Sequence, residues 1–113
     1  MATSKIQMDL IGIGDTQLRA YSKWVNTGGS ISFACTGSFF RLIVHTLGTS
    51  STLQGEYLIS ELTNHSNWAM TKIKDATDVG ITYNNGTLTI SNNATAGSIL
   101  LIIESWNGAL TFS

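Results

Sequence analysis

The sequence predicts an all-β protein, an antiparallel, jelly-roll-like β-sandwich of about 8–10 short strands. Apolar residues recur at alternate positions in short runs, and Gly, Asn, Ser or Thr ends each run within about ten residues, which is the spacing of β-sandwiches and barrels. No window of helical length shows the apolar period of about 3.6 residues that marks an amphipathic helix. The chain has 113 residues, which suits one core, so we expect residues 1–113 to form a single domain.

Each predicted strand is an alternating run closed by turn-forming residues. The connectors between the runs are rich in Gly, Asn, Ser and Thr, as at Gly48–Ser51 and Asn92–Gly97. In chain order the predicted strands are Ile6–Ile13, Gln17–Val25, Ser30–Cys35, Phe39–Leu47, Glu56–Leu62, Trp68–Asp75, Val79–Asn84, Thr87–Ser91, Ser98–Ser105 and Ala109–Phe112.

The segment over Val79–Ile90 carries the strongest local pattern, which is that of a β-hairpin. Asn-Gly is a preferred pair for a two-residue turn in which both residues take positive φ, so we place Asn85 and Gly86 in the turn. That placement sets Tyr83 opposite Leu88 on one face. The other face then carries hydroxyls, so register and burial agree, and a slip of one residue would destroy the agreement.

The strand over Phe39–Leu47 has apolar residues on both sides, and so does the continuous run over Ser98–Glu104. In a two-sheet sandwich one side of each sheet meets solvent, so a second apolar side needs a cover. A neighbouring copy of the chain is the simplest cover, which predicts an oligomer in preference to a monomeric closed barrel. The residues that we expect in the interface share one side of the strand and are Phe39, Arg41, Ile43 and His45.

The composition argues against several classes of protein. Six basic residues are scattered among seven acidic ones, so a phosphate-binding surface for nucleic acid is not expected. Cys35 is the single cysteine, which excludes an intrachain disulfide, and the apolar run Ile99–Ile103 is far short of the roughly 20 residues of a membrane span. Met1–Lys5 is not followed by an apolar stretch typical of a secretory signal, so we expect synthesis in the cytoplasm without export.

Candidate catalytic residues are few. His45 lies on the same side of its strand as Arg41, where we expect a packing or interface role, and His65 lies in a polar loop, where it is either solvated or in contact with a ligand. Cys35 lies on an alternating strand and is expected to be buried and unreactive. Glu56 and Glu61 are an odd number of residues apart, so one regular strand would point them to opposite sides. With no metal-ligand spacing and no Gly-rich phosphate loop, we predict no metal, no cofactor and no catalysis by this chain alone.

The three tryptophans offer a surface for recognition. Aromatic rings flanked by Asn, Ser and Thr are common at carbohydrate and protein contacts. Trp106 falls at a strand end and Trp68 follows a polar loop, whereas we expect Trp24, within a strand, to be in the core. The predicted carbohydrate platform consists of Trp68, Trp106, Asn64, His65 and Asn107.

The order of motifs resembles a known class of domain. The runs Phe39–Gly48, Gly55–Ser60, Gly86–Asn92 and Ser98–Glu104 are together similar to the small β-sandwich domains at the carboxy-terminal ends of bacteriophage tailspikes and tail fibres. In particular, the pattern resembles the domain that follows a β-helical depolymerase or lyase. As a pattern, the resemblance covers Ile31–Glu104.

The resemblance implies a homotrimer in the phage virion, assembled at the fibre tip and in contact with a bacterial surface polysaccharide. In such proteins catalysis belongs to an upstream β-helix. Two alternatives stay open: a monomeric carbohydrate-binding module that uses the tryptophan platform, and a part of a polysaccharide lyase or hydrolase whose site lies between subunits.

Overall fold

The fold is an antiparallel β-sandwich, which confirms the predicted class. The computed structural model describes residues 18–35, 37–61, 68–106 and 110–112. The strands in this part of the chain are β1 (Arg19–Val25), β2 (Ser30–Ala34), β3 (Phe39–Thr46), β4 (Gly55–Glu61), β5 (Trp68–Lys74), β6 (Val79–Asn84), β7 (Thr87–Asn92), β8 (Ile99–Ser105) and β9 (Thr111–Phe112). A short 3₁₀ helix, Ser51–Leu53, precedes β4. The predicted strand Ile6–Ile13 lies outside the described residues.

Two sheets form the sandwich. The larger sheet has the strand order β1-β8-β3-β4-β5, and the smaller sheet has the order β6-β7-β2-β9. The amino-terminal strands β1, β2 and β3 alternate between the sheets, and they pair antiparallel with β8, β7 and β8, respectively. This wrapping of early strands against late ones is the jelly-roll-like element of the fold.

Alternation along each strand builds the core between the sheets. In β3, Phe40, Leu42 and Val44 are buried, as the period of two predicts. Phe40 meets Phe33 of the other sheet edge to face, with ring centroids 5.6 Å apart. In β4, Tyr57 is fully buried. Its hydroxyl donates to Oδ1 of Asp75 at 3.0 Å and accepts from the backbone N–H of Ala76 at 2.7 Å, so its polar end is satisfied inside the core.

The predicted hairpin between β6 and β7 is confirmed. Tyr83 pairs with Leu88, and the two turn residues have positive φ, 48° for Asn85 and 91° for Gly86. The Gly86 carbonyl also accepts the backbone N–H of Cys35 at 2.8 Å, which ties the turn to the end of β2. The turn therefore depends on the conformational freedom of glycine at Gly86.

Gly86→Ala is expected to destabilise the protein by about 1–2 kcal/mol, because an L side chain is strained in the left-handed region. Urea unfolding followed by circular dichroism measures the change. Gly48→Ala is the matched control, since an added Cβ there would meet the Thr46 hydroxyl at an ordinary 3.8 Å. Equal stability of the two variants would contradict the strain argument.

Candidate functional site

The outer face of the larger sheet is apolar. Register places Ile43 of β3 opposite Ile102 of β8, and Trp24 of β1 opposite Leu100. These side chains point away from the core and are half-buried or exposed in the single chain. We call this surface the apolar outer face, and its apolar members are Trp24, Phe39, Ile43, Leu58, Leu100 and Ile102.

The outer face of the smaller sheet is different in character. Ser32 of β2 pairs with Thr89 of β7, which in turn pairs with Thr82 of β6, and the Ser32 and Thr89 hydroxyls are hydrogen-bonded at 2.8 Å. No charged residue and no large apolar residue lies on this hydroxyl face among the described strands, and its polar members are Ser30, Ser32, Thr82, Asn84, Thr87, Thr89, Ser91 and Thr111. Small hydroxyls are well solvated, so of the two outer faces only the apolar one needs a cover.

An ion-pair network lies in the middle of the apolar outer face. The Arg41 guanidinium donates from Nε to Oε2 of Glu56 at 2.8 Å, and its Nη1 lies 3.4 Å from Oε1 of Glu104. The hydrogen bond to Glu56 raises the pKa of Arg41 above its already high usual value. Arg41 is therefore a permanent cation that joins three adjacent strands and leaves the network with one net negative charge.

A cleft opens at one end of this face. The Trp106 ring meets Phe39 edge to face, with centroids 4.7 Å apart and planes at 89°. Beside it lies a cleft of about 230 Å³ between β1 and the end of β8. Its lining residues are Leu18, Arg19, Ala20, Glu104 and Trp106.

The predicted interface residues share the apolar outer face. Phe39 is 43% exposed, His45 is exposed, and Arg41 and Ile43 are half-buried. Pairing of His45 with Leu100 continues the face toward Trp24. The structure thus brings all four predicted residues onto one surface, with Arg41 at its centre.

The two tryptophans of the predicted carbohydrate platform lie on opposite sides of the larger sheet. Trp68 pairs with Glu61, which is buried between the sheets, and its ring stacks on Tyr83 of the smaller sheet at 5.3 Å. Trp106 instead contacts Phe39 on the outside. The other predicted platform residues, Asn64, His65 and Asn107, lie outside the described residues.

The expectation that Trp24 lies in the core is wrong. Its side chain is 55% exposed on the apolar outer face. Alternation on β1 turns Val25 inward and Trp24 outward, and Lys23 also points inward, where its ammonium lies 4.7 Å from the Phe112 ring centroid. An edge strand can hold such a lysine because its long side chain reaches past the core to solvent.

A second polar cluster closes one end of the sandwich. Glu61 is buried, and it accepts hydrogen bonds from the Tyr83 hydroxyl and from the backbone N–H of Gly37. Burial raises the pKa of Tyr83, and the bond to Glu61 raises it further. Burial, with a smaller contribution from the Glu61 charge, raises the pKa of the Cys35 thiol to about 11. The buried Cys35 is therefore a thiol at neutral pH and not a nucleophile.

The described residues contain neither a metal-binding cluster nor a membrane-spanning helix. No group of three or more His, Cys, Asp or Glu side chains in the described ranges could hold a metal ion. Nor does any helix in the same ranges have the length and apolar character needed to cross a membrane.

Residues of the site that the sequence did not identify come from strands β1, β4 and β8. Glu56 and Glu104 are two of seven carboxylates in the chain, and only the pairing of β3 with β4 and β8 shows that both meet Arg41. Ala20 enters the cleft because it pairs with Glu104. The apolar run over Ser98–Glu104 was the available signal for Leu100 and Ile102.

Comparison with known proteins finds similarity in fold. No protein-family model matches the sequence, and no curated protein matches it. Among solved structures, the chain is similar to part of the tailspike protein gp49 from the Acinetobacter baumannii bacteriophage Fri1, a capsular polysaccharide depolymerase. The TM-score is 0.64 at 10% sequence identity, and the match covers 88% of this chain and 20% of that one. The chain thus spans a fifth of that protein's length, and at this identity the likeness is one of fold.

Proposed function

We propose that this chain is a non-catalytic domain of a bacteriophage tailspike or tail fibre that forms a homotrimer through its apolar outer face. The contrast between the two outer faces carries the proposal. The hydroxyl face is suited to water, whereas the apolar outer face presents Ile43, Ile102 and Leu100 side by side. Burying such a surface against other copies is favourable because apolar area leaves water.

The ion-pair network suits a contact that must be specific as well as apolar. Arg41 is held from two sides by Glu56 and Glu104, so its charge is compensated before any partner approaches. The Arg41 charge, compensated by its own chain, disfavours misaligned contact between two copies. A copy that is shifted out of place would bury this charge against aliphatic side chains. The number of copies, three, follows from the resemblance to tailspike domains.

Fold similarity to part of a tailspike supports placement of the domain in a phage virion, where a β-helical portion of the parent protein would perform any catalysis. We propose that the trimer also contacts bacterial surface polysaccharide. The cleft beside Trp106 supports this role, because a partly exposed aromatic ring next to a carboxylate is a common way to hold a sugar.

The mass in solution tests the assembly. We expect the wild-type chain to have about three times the 12.1 kDa mass of one chain, measured by light scattering over a range of concentrations. Ile43→Arg should yield a folded monomer, because assembly would then bury a guanidinium in place of an aliphatic side chain in the middle of the contact. Thr82→Arg, on the hydroxyl face, is the matched control and should remain a trimer.

A monomeric wild-type chain at micromolar concentration would refute the assembly. Equal masses for Ile43→Arg and Thr82→Arg would refute the choice of face. Circular dichroism checks that both variants retain the β fold.

The second candidate is a monomeric carbohydrate-binding module, which the Trp106 cleft favours. It predicts saccharide binding by a chain of monomeric mass. Trp106→Ala should remove binding, and Trp24→Ala, which removes an exposed ring outside the cleft lining on the same face, should leave it intact. Loss of binding in both variants would show a wider platform than the cleft.

A further inference from the structure

The cleft has an unused acceptor and an unused donor. Within the part of the chain that the structure describes, Oε1 of Glu104 is the oxygen close to Arg41, and Oε2 accepts no hydrogen bond. The Glu104 side chain is 42% exposed, so a ligand can reach this side chain from outside. Nor does the Trp106 indole N–H have a partner among the described residues. A ligand in the cleft can therefore donate to Glu104 and accept from Trp106.

The Arg41 pairings keep Glu104 available. Arg41 lies close to Glu56, with Nη2 at 2.5 Å and Nε at 2.8 Å from Oε2, whereas its distance to Glu104 is 3.4 Å. Glu104 is the weaker partner, and its carboxylate is only partly compensated. Its remaining charge attracts hydrogen-bond donors and repels a second carboxylate.

The walls of the cleft are apolar and narrow. Leu18, Ala20 and Trp106 supply the apolar surface, and about 230 Å³ is less than the roughly 300–1,000 Å³ of sites for drug-sized ligands. That volume suits one sugar ring. Arg19 also lines the cleft, but it pairs with Ser105, which is buried. Alternation therefore turns the Arg19 side chain to the opposite side of β1 from Ala20.

We propose that the cleft binds one uncharged sugar ring, whose hydroxyls donate to Glu104 and whose apolar side packs on Trp106, and that it discriminates against uronic acids. The inference rests on the polysaccharide contact proposed above and names the sugar class. Because β1 is an edge strand, the cleft lies at the margin of the apolar outer face, beside the region around Ile43 that would be covered in a trimer.

Binding of matched oligosaccharides by the full chain tests the inference. The probes are neutral glucose and galactose oligomers and the corresponding glucuronate and galacturonate oligomers, titrated at millimolar concentrations and followed by isothermal calorimetry. We expect the wild-type chain to bind a neutral member at least about tenfold more tightly than its uronate counterpart, which is about 1.4 kcal/mol. Glu104→Gln should bring the two affinities within about twofold of each other, because the repelling charge is gone.

A matched pair of variants locates the site. Ala20→Gln should abolish binding, because a longer side chain fills the cleft, whereas Ser22→Gln, two residues along the same side of β1 and outside the lining, should leave it unchanged. Preference for the uronate, or retained binding in Ala20→Gln, would overturn the inference while leaving a polysaccharide contact in place. Failure of every probe would overturn both, and the mass measurement would still decide the trimer separately.

Discussion

Phe40→Ala is expected to lower the free energy of unfolding by about 3–5 kcal/mol, a large part of the roughly 5–15 kcal/mol that stabilises a typical domain. Phe40 is fully buried near the start of β3 and packs against Phe33 across the two sheets. Removing the ring takes away buried apolar surface and leaves a cavity that a close-packed core fills only in part.

Phe39→Ala provides a matched control one residue away. Phe39 points to the outer face, where it is 43% exposed in the single chain and meets the Trp106 ring edge to face. At a protein concentration low enough to dissociate the assembly, the loss of unfolding free energy should therefore be about 1 kcal/mol or less. Urea unfolding at one protein concentration compares the two variants, because assembly makes apparent stability depend on concentration. Similar losses in both would mean that Phe39 is buried in solution, which would itself support a stable covered face.

Asn92→Ala is expected to cost about 2–4 kcal/mol, because it removes three hydrogen bonds of a buried side chain at once. Asn92 is fully buried at the end of β7. Its amide donates to the carbonyls of Val25 at 3.2 Å and Gly97 at 2.8 Å, and its Oδ1 accepts the N–H of Ala94 at 3.1 Å. Through these bonds one side chain ties the end of β1 to the loop between β7 and β8.

Asn93→Ala is the control for this prediction, because Asn93 is exposed and its change should cost less than about 0.5 kcal/mol. Thermal unfolding measures both variants. The Asn92→Ala change should also accelerate amide hydrogen exchange more at Ala94 than at residues of β3. An Asn92→Ala variant as stable as Asn93→Ala would show that water replaces the lost bonds.

Much of the strand structure was predictable because the signals are local. At the ends that the structure describes, the predicted strands differ from the observed ones by at most two residues, Val79–Asn84 agrees at both ends, and the Asn85-Gly86 turn has the expected φ values. Both depend on neighbours in sequence: alternation has a period of two, and a tight turn selects residues that tolerate positive φ.

The candidate site was predictable only in part. Phe39, Arg41, Ile43 and His45 were placed on one surface because they share one strand. Glu104, the carboxylate of the cleft, is 63 residues from Arg41, and no local pattern shows that the two side chains meet. Trp24 was misplaced because a tryptophan in a strand favours burial on average, whereas its actual side was set by the register of β1 on β8, which aligns Val25 with the buried Ile99 and Trp24 with the outward Leu100.

The sequence by itself determined that this chain is a β-sandwich, where its described strands lie to within two residues, and which side chains share a side of each strand. Tertiary structure alone decided which strands became neighbours. It thereby produced one outer face of hydroxyls and one apolar outer face with Arg41 between two carboxylates. The physical reason is range: alternation and turn preference act over a few residues, whereas pairing of β3 with β4 and β8 depends on the free energy of the whole assembled core.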